Sequence, residues 1–447
     1  MNLTRALRIS THSTIAFVGA GGKSTAMFGL GRELSSSTPV ILTVTTHLGS
    51  WQLPLADEHI IAEKKSDLDK LTRKGQKGIT LVTGPLEAGR TTGVSEKILE
   101  RLQATCAHNR IPLLIEADGA HQRPLKAPAE QEPAIPSFVE QVVVLAGLSA
   151  LGKTLSEEWI HRPEIFMRLC GLKKSDFVTP ETLVSLLTHP EGGLKNIPLS
   201  ARRTALLNQS DTEELQILAG RIAEGLLGMY HAVVIASLRE PRDSDRVIAV
   251  REPVAGIVLA AGASRRFGSR KQLQSWEGKS FVRAVAETAL GAGLHPVVVV
   301  SGADAGRVQT ALSGLSVETV FNQDWPQGQG TSIAAGMRTL AGSSQPQHPG
   351  AVLFLLADQP QVSPGVCRAL SEQHARTLSP IVAPLVAGRR ANPVLFDRIT
   401  FPDLLKLGGD SGGRTLFKKY PVEYLPWQDE RLLVDIDRPE DLGRLRS

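Results

Sequence analysis

The sequence predicts an α/β protein with two doubly wound, mostly parallel sheets, the first P-loop-like and the second Rossmann-like. Two strand–glycine-loop–helix openings stand far apart, one at residues 14–34 and one starting at Val254. Unbroken apolar runs such as VVVV and AVLFLL are typical of strands that are buried on both faces. Because apolar strands alternate with helical patterns in both halves, we predict two domains, residues 1–250 and 251–447.

In the first half, apolar runs predict strands over residues 14–18, 40–44, 79–83, 113–116, 141–146 and 232–235. Helical periodicity predicts helices over residues 24–34 and 95–107. The charged, proline-flanked stretch 237–253 is interpreted as the linker between the two domains.

In the second half, the same patterns predict strands over residues 254–259, 296–301, 318–321, 351–356, 380–384 and 423–425. The predicted helices cover residues 280–292, 304–312, 331–340 and 364–377. Ligands of doubly wound sheets bind beyond the carboxyl ends of the strands, and both glycine loops follow such an end.

Composition and charge exclude several function classes. Hydrophobic residues make up 42% of the chain and charged residues 21%, which is ordinary for a globular protein. The net charge of +5 is spread along the chain without a basic block, so no nucleic-acid partner is expected. Three widely separated cysteines favour a reducing cytoplasm. The sequence has no secretory pattern and no run of eighteen apolar residues, so no membrane partner is expected.

The stretch IVLAAGASRRFGSRKQL, residues 257–273, carries a buried strand into a small, basic loop. Gly262 and Gly268 permit a tight turn whose exposed N–H groups form a concave anion site. Arg266, Lys271 and Ser264 add donors that suit phosphate oxygens. The alternative is an ordinary loop between a strand and a helix, with solvated arginines.

A second apolar strand runs into Asp358, in the stretch AVLFLLADQP. A lone acid at this point is expected to be poorly placed for a structural ion pair but well placed to hold Mg²⁺ on a triphosphate. The alternative is a cap for the helix that starts at residue 364. Asp435 and Asp437, spaced i, i+2 in VDIDRPEDL, could point to one face and complete the metal site, although RPEDL also suits a helix start.

The ordered motifs LAAGASRRFGSRK, LADQP, RRANPVLFDR, GDSGGRTL and DIDRPEDL resemble those of MobA-like nucleotidyltransferases, and of molybdenum cofactor cytidylyltransferases among them. The resemblance covers residue 254 to the C-terminus. It implies a nucleotide-binding set made of Leu259, Ala260, Ala261, Gly262, Ser264, Gly268, Asn322 and Ser332. It implies a pterin-side set made of Asn392, Pro393, Asp410, Gly412 and Arg414. The catalytic set would be Arg266, Lys271 and Asp358, with Asp358, Asp435 and Asp437 as metal ligands.

By this resemblance, Mg²⁺ is the cofactor and CTP and Mo-molybdopterin are the substrates, which give molybdopterin cytosine dinucleotide and pyrophosphate. The family pattern LAAG, rather than LAGG, makes Ala261 favour CTP over GTP. A transient contact with a molybdenum hydroxylase of the xanthine dehydrogenase type is implied. The alternatives are transfer to a sugar or alditol phosphate, and a carrier or chaperone that binds nucleotide without turning it over.

In the first half, FVGAGGKST resembles a shortened P-loop, because the strict spacing would need a glycine where Phe17 stands. The predicted phosphate loop contains Gly19, Gly21, Gly22, Lys23, Ser24 and Thr25, and either Glu116 or Asp118 could hold Mg²⁺. The stretch LLNQSDT, residues 206–212, loosely resembles a guanine-reading loop. His47 is interpreted as a hydrogen-bonded loop histidine rather than a catalytic residue, and for Arg123 and Lys126 the alternative is a solvated loop charge.

These motifs, with TTH, EADGAHQRPLKAP and HRPEIF, resemble the YqeC-like family of accessory proteins for selenium-dependent hydroxylases, over residues 14–236. The resemblance implies a nucleotide-binding domain, with ATP or GTP as its ligand, that assists maturation of molybdenum hydroxylases.

Overall fold

Parallel strands dominate the two largest sheets that the described residues form. The computed structural model describes residues 1–10, 12–72, 77–239, 246–262, 270–342, 348–434, 436 and 441. The chain divides into two compact units, Met1–Arg251 and Glu252–Ser447. The predicted α/β class with mostly parallel sheets is confirmed. No helix in the described ranges is both long enough and apolar enough to cross a membrane.

The first unit has the strands β1 Thr14–Gly19, β2 Val40–Val44, β3 Leu48–Gly49, β4 Glu58–Ile61, β5 Ile79–Thr83, β6 Leu86–Glu87, β7 Arg90–Thr91, β8 Leu113–Glu116, β9 Leu125–Lys126, β10 Gln141–Gly147, β11 Ile160–His161, β12 Arg202–Asn208, β13 Ala232–Ala236 and β14 Val247–Arg251. Its helices are α1 Leu3–Ala6, α2 Lys23–Ser35, α3 Glu96–Asn109, α4 Pro163–Cys170, α5 Pro180–Thr188 and α6 Glu213–Leu226.

The first sheet has the order β14-β13-β12-β10-β1-β8-β2-β5-β4, and only β14 in it pairs antiparallel within the described residues. Strands β1, β2, β8 and β10 are buried along nearly all of their length, as their apolar sequences require. The interpretation of residues 237–253 as a linker is wrong in part, because Val247–Arg251 forms the edge strand β14. Its alternate apolar residues pack on this sheet, which makes it part of the first unit.

The second unit has the strands β15 Val254–Ala260, β16 Ser275–Trp276, β17 Lys279–Ser280, β18 Val297–Ser301, β19 Glu318–Phe321, β20 Ala351–Leu356, β21 Ile381–Val386, β22 Arg389–Arg390, β23 Val394–Asp397 and β24 Val422–Pro426. Its helices are α7 Phe281–Gly291, α8 Ala305–Ala311, α9 Gln329–Gly342, α10 Pro364–Thr377 and α11 Phe401–Leu404.

The second sheet has the order β19-β18-β15-β20-β23-β21-β22, and β24 also pairs with β21. Strands β19, β18, β15 and β20 are mutually parallel, whereas β23 runs antiparallel to both of its neighbours. One apolar cluster packs α7 and α10 on one face of the sheet, and another packs α9 on the opposite face. The central parallel strands therefore end at one shared edge, between two helical layers.

Candidate functional site

A cavity of about 430 Å³ opens at the carboxyl edge of the second sheet. Leu259 in β15 lies beside Leu356 in β20, so the residues that follow the two strands meet there. The cavity is lined by Leu259, Ala260, Ala261, Gly262, Lys271, Gln272, Trp325, Pro326, Gly328, Gln329, Ser332, Leu356, Ala357 and Asp358. Residues that were predicted for nucleotide binding, metal binding and catalysis thus share one cavity.

The expectation that Asp358 is poorly placed for an ion pair is wrong. Lys271 Nζ donates to Asp358 Oδ2 at 2.8 Å. Lys271 is only 7% exposed, whereas 40% of the Asp358 side chain is exposed on the cavity wall. The alternative that Asp358 caps helix α10 is also wrong, because Ser363 is the cap and its hydroxyl accepts from the N–H of Val366. The partly exposed carboxylate therefore keeps a face toward the cavity.

Asp358 suits a divalent cation that is carried by a triphosphate. Mg²⁺ in such sites takes one or two carboxylates and completes its shell with phosphate oxygens and water. Within the described ranges, no group of three His, Cys, Asp or Glu side chains could hold a metal ion. Asp435 and Asp437, the other predicted ligands, lie outside the described residues. The donor set therefore fits a metal that arrives with its nucleotide.

The glycine loop is described up to Gly262, and Ser264, Arg266 and Gly268 lie outside the described residues. Ala261 is 5% exposed and packs closely on Gly302, where an added Cβ would lie 2.9 Å from the Ala261 methyl group. Ala261 directly follows β15 and lines the cavity, so it is part of the wall that bounds a ligand.

Asn322 was predicted as a base or pterin contact, and the structure gives it a set of protein partners. Its Nδ2 donates to the hydroxyls of Thr331 and Ser332 at 2.9 and 3.0 Å, and its Oδ1 accepts from the N–H of Asp324. Asn322 is 5% exposed, whereas Ser332 lines the cavity. Asn322 therefore fixes the first turn of α9 and orients the Ser332 hydroxyl.

A second cavity of about 140 Å³ adjoins the first. It is lined by Leu259, Gln329, Ile333, Phe354, Leu356, Arg390, Ala391, Asn392, Val394, Phe396, Gly413, Arg414 and Phe417. Leu259, Gln329 and Leu356 line both cavities, so the two spaces meet at the ends of β15 and β20.

Four of the predicted pterin-side residues, Asn392, Pro393, Gly412 and Arg414, lie at or near this second cavity, whereas Asp410 lies beside the larger one. Asn392 and Arg414 line the second cavity, and Pro393 follows Asn392 through a cis peptide bond. Asp410 lies against Gly328, and an added Cβ on Gly412 would lie 2.9 Å from Gln329 Oε1.

Sequence reasoning missed two residues of this region, Arg390 and Phe417. The Arg390 guanidinium lies over the Phe417 ring, with Cζ 4.0 Å from the ring centroid. The paired arginines in RRANP were a visible signal, but nothing in the sequence connects them with a phenylalanine so much later in the chain.

In the first unit, the predicted phosphate loop lies against a cluster of buried charges. Lys23 Nζ donates to the Gly19 carbonyl at 2.7 Å and lies 3.2 Å from Asp118 Oδ1 and 3.9 Å from Glu116 Oε1. Ser24 Oγ donates to Glu116 Oε2 at 2.8 Å. The loop and both candidate acids are therefore brought together.

The interpretation of Lys126 as a solvated loop charge is wrong. It is 7% exposed and forms ion pairs with Asp118 at 2.9 Å and with Glu132 at 2.7 Å. Arg162 pairs with Glu132 at 2.7 Å. These ion pairs extend the cluster away from the phosphate loop. They give each buried charge a partner of opposite sign, without which its burial would be costly.

The charge cluster shifts the pKa of several groups. Burial raises the pKa of Glu116, and this effect outweighs the attraction of Lys23. Burial also opposes ionisation of Glu132, but hydrogen bonds from Arg162 and Lys126 lower its pKa to about 2. Burial, aided by the positive charge of Arg162, lowers the pKa of His161 to about 4.

Two residues of the predicted guanine-reading stretch 206–212, Asn208 and Gln209, line a cavity of the first unit beside the phosphate loop. Residues 206–208 belong to β12, and Asn208 Nδ2 donates to the Gly21 carbonyl at 2.7 Å while its Oδ1 accepts from the N–H of Leu238. Gln209 Oε1 accepts from the Ser149 hydroxyl at 2.6 Å. These amides thus hold loops of the protein in place.

Comparisons with known proteins agree with this two-part organisation. Residues 15–164 match the family described as YqeC protein, and residues 256–424 match the MobA-like NTP transferase domain. An uncharacterised protein, YqeC of Escherichia coli, is 29% identical over 48% of this chain and 82% of its own length.

The relatives that match the second half include an oxidoreductase and a guanylyltransferase. Nicotine blue oxidoreductase of Paenarthrobacter nicotinovorans is 32% identical over 43% of this chain and 96% of its own length. A probable molybdenum cofactor guanylyltransferase of Bacillus cereus is 32% identical over 30% of this chain and 64% of its own length.

Proposed function

Because the chain belongs to the MobA-like NTP transferase family through its second half, we propose that this half transfers a cytidylyl group from CTP to the terminal phosphate of Mo-molybdopterin. An oxygen of the acceptor phosphate forms a bond to the α-phosphorus of CTP. The bond from that phosphorus to the bridging oxygen of the β-phosphate breaks, and pyrophosphate leaves with the electron pair. The products are molybdopterin cytosine dinucleotide and pyrophosphate.

The observation that carries this proposal is the pair of adjoining cavities. The larger one contains Asp358 and Lys271, which suit a triphosphate and its cation. The smaller one meets it at Leu259, Gln329 and Leu356, where a donor and an acceptor could approach each other. Holding two reactants side by side lowers the barrier to transfer without a covalent intermediate.

Each charged group of the larger cavity has a role in this reaction. Asp358 would hold Mg²⁺, which neutralises phosphate charge and aligns the reacting phosphates. Lys271 already lies 2.8 Å from Asp358, so its ammonium group is within reach of a phosphate beside that carboxylate. We propose that Lys271 and Arg266 stabilise the negative charge that develops on the departing pyrophosphate.

The smaller cavity supports an acceptor that carries both phosphate and a flat ring. Arg390 and Arg414 supply guanidinium groups, which suit phosphate, and the half-buried Phe417 supplies ring surface. The relative from Bacillus cereus, whose name assigns it a molybdenum cofactor as substrate, supports a pterin acceptor. The methyl group of Ala261 in the larger cavity supports a pyrimidine nucleotide, because it reduces the space beside the loop.

The test incubates the full-length chain with Mg²⁺, Mo-molybdopterin and one of CTP, GTP, ATP or UTP, and identifies the product by mass. We expect pyrophosphate release and a cytosine dinucleotide that depend on both substrates. A product with another nucleotide would overturn the assignment of CTP.

Two further outcomes decide between this proposal and its alternatives. Turnover with a sugar or alditol phosphate, in place of molybdopterin, would overturn the assigned acceptor. Tight nucleotide binding without pyrophosphate release, under conditions in which the acceptor also binds, would identify a carrier and overturn the enzymatic proposal.

A further inference from the structure

The first unit contains its own cavity, of about 500 Å³, where β1, β2, β8 and β12 end. We propose that this cavity binds a Mg²⁺–nucleoside triphosphate, with the phosphates at the amino end of α2 and the base against Trp51. This site is independent of the transferase site in the second unit, because it is built only from residues of the first unit. Its volume lies within the range that suits small-molecule ligands.

The phosphate end of the cavity is formed by the loop between β1 and α2. Gly22, the residue that precedes α2, offers no side-chain cap to the first helical N–H groups. Lys23, Ser24 and Thr25 line the cavity at this point, and Arg90 of β7 and Arg123 of the segment after β8 line it from other parts of the unit. A polyanion would therefore meet backbone donors, hydroxyls and two guanidinium groups.

A buried carboxylate indicates where the cation would bind. Glu116 is 6% exposed and lines the cavity, and its Oε2 accepts from the Ser24 hydroxyl. In the part of the chain that the structure describes, Glu116 Oε1 accepts no hydrogen bond, and the ammonium group of Lys23 lies 3.9 Å from it. A carboxylate oxygen beside a hydroxyl at the amino end of a helix suits Mg²⁺ that also contacts phosphate.

The charge balance of the cluster explains why a cation must accompany the ligand. Lys23 and Lys126 are matched by Glu116 and Asp118, and Arg162 is matched by Glu132. Because these buried charges cancel one another, they leave no surplus positive charge for a triphosphate. Mg²⁺ and the arginines at the cavity wall would supply it.

The base end of the cavity is formed by Trp51. This side chain is 65% exposed although it is large and aromatic, and it lines a cavity whose other walls are mostly polar. An exposed tryptophan at the edge of a phosphate-binding cavity offers a platform on which a planar base can stack. The combination of ring surface and phosphate donors selects a nucleotide over inorganic phosphate.

The test measures binding to the full-length chain by calorimetry in the presence of Mg²⁺, without molybdopterin. The probes are a nonhydrolysable ATP analogue, the matching GTP analogue and inorganic triphosphate. The variants are Trp51→Ala and Arg90→Ala, both at cavity-lining positions, and the control is Phe177→Ala, which removes an aromatic ring of similar exposure (53%) outside the cavity.

We expect Trp51→Ala to weaken binding of at least one nucleotide analogue about tenfold, as the loss of one base-stacking contact does, and to leave inorganic triphosphate unaffected. Arg90→Ala should weaken both kinds of probe, and Phe177→Ala neither. Wild-type affinity of both variants for both analogues would overturn the proposal. Pyrophosphate release by the second unit is measured in parallel and should not change in Trp51→Ala, so failure of the proposed transferase activity is scored separately.

Discussion

At the scale of single residues, the acid at the end of β20 decides whether the second unit can handle a triphosphate. Replacing Asp358 with Asn keeps the size of the side chain and removes the charge that would hold Mg²⁺. We expect Asp358→Asn to lower the rate of pyrophosphate release about a hundredfold or more, because an electrostatic contact to the reacting phosphates is lost.

The matched control for this substitution is Asp403→Asn. Asp403 pairs with Lys419 and Tyr420 and lies outside the cavity lining. We expect its variant to retain activity, and both variants to keep the wild-type circular dichroism spectrum. A fully active Asp358→Asn enzyme would remove Asp358 from the reaction.

The Ala261 methyl group provides a second prediction at this scale. Ala261→Gly enlarges the cavity by one methyl group at a wall that Gly302 holds in place. We expect the preference for CTP over GTP, measured as the ratio of kcat/KM values, to fall about tenfold or more, since one methyl group in a pocket has an effect of that size. An unchanged ratio would show that other groups select the base.

Residue types and strand ends were predictable, whereas pairings between distant residues were not. The sequence places Asp358 and Lys271 each after an apolar strand, but they are far apart in the chain and their ion pair depends on which strands are neighbours. Lys126 looked like a loop charge because its partners, Asp118 and Glu132, flank it at irregular spacing. Asn322 looked like a ligand contact because a buried asparagine has the same sequence signature in both roles.

At the scale of elements, the loop between β1 and α2 depends on close backbone contacts. Gly21 has φ +84°, and an added Cβ would lie 2.6 Å from the Gly147 Cα atom. Gly21→Ala would therefore place the alanine methyl group, on a backbone held in a left-handed conformation, against the last residue of β10. We expect it to lower the free energy of unfolding of the first unit by about 2 kcal/mol or more.

A glycine inside helix α6 is the control for this prediction. Around Gly220 there is open space, so Gly220→Ala should raise the free energy of unfolding by about 0.5–1 kcal/mol through helix propensity alone. The difference in the free energy of unfolding between the two variants is measured by denaturant unfolding, with hydrogen exchange of the β1 amides as the readout. Equal stability of the two variants would contradict the close approach of the loop to β10.

Many strands of the two largest sheets were predicted with accurate bounds, and several others were missed. The bounds predicted for β2, β5, β8, β19 and β20 agree with the structure. Among the missed strands, β12 begins with two arginines, and β14 and β23 each end in a charged residue. Because β14 and β23 pair antiparallel with their neighbours, a pattern of alternating parallel strands and helices could not indicate them.

At the scale of the whole molecule, each unit concentrates its charged and polar cavity residues at the carboxyl edge of a mostly parallel sheet. This location was predictable because parallel strands bring their carboxyl ends to one edge. Which residues line each cavity was predictable only for the loop that directly follows a strand. Trp51 contributes to the cavity of the first unit, and Arg390 and Phe417 contribute to the smaller cavity of the second unit. These contributions depend on how long connections fold.

The response of the molecule to acid should occur in two steps within the first unit. The pKa of His161 falls from 6.5 to about 4 on folding, so between these values the unfolded chain binds a proton that the folded chain does not. Stability is therefore lost as the pH falls through this window, by at most about 1.4 kcal/mol per pH unit. The pKa of Glu132 falls from 4.5 to about 2, so its contribution is lost in a second window, below pH 4.5.

Two substitutions separate these windows in the full-length chain. His161→Phe keeps a ring beside His121, with which His161 stacks at 4.5 Å, and should flatten the loss of stability between pH 6.5 and 4 only. Glu132→Gln should destabilise the first unit at pH 7 and flatten the loss below pH 4.5, because the ion pairs with Lys126 and Arg162 are already absent. Hydrogen exchange of β1 and β8 amides, measured from pH 7 to pH 3.5 and corrected for intrinsic exchange rates, reports the first unit alone. The contrary outcome is that the stability of His161→Phe falls with pH above pH 4.5 as steeply as that of the wild-type chain. Another group would then have to take up the proton, and burial of a neutral His161 beside Arg162 would not explain the acid response.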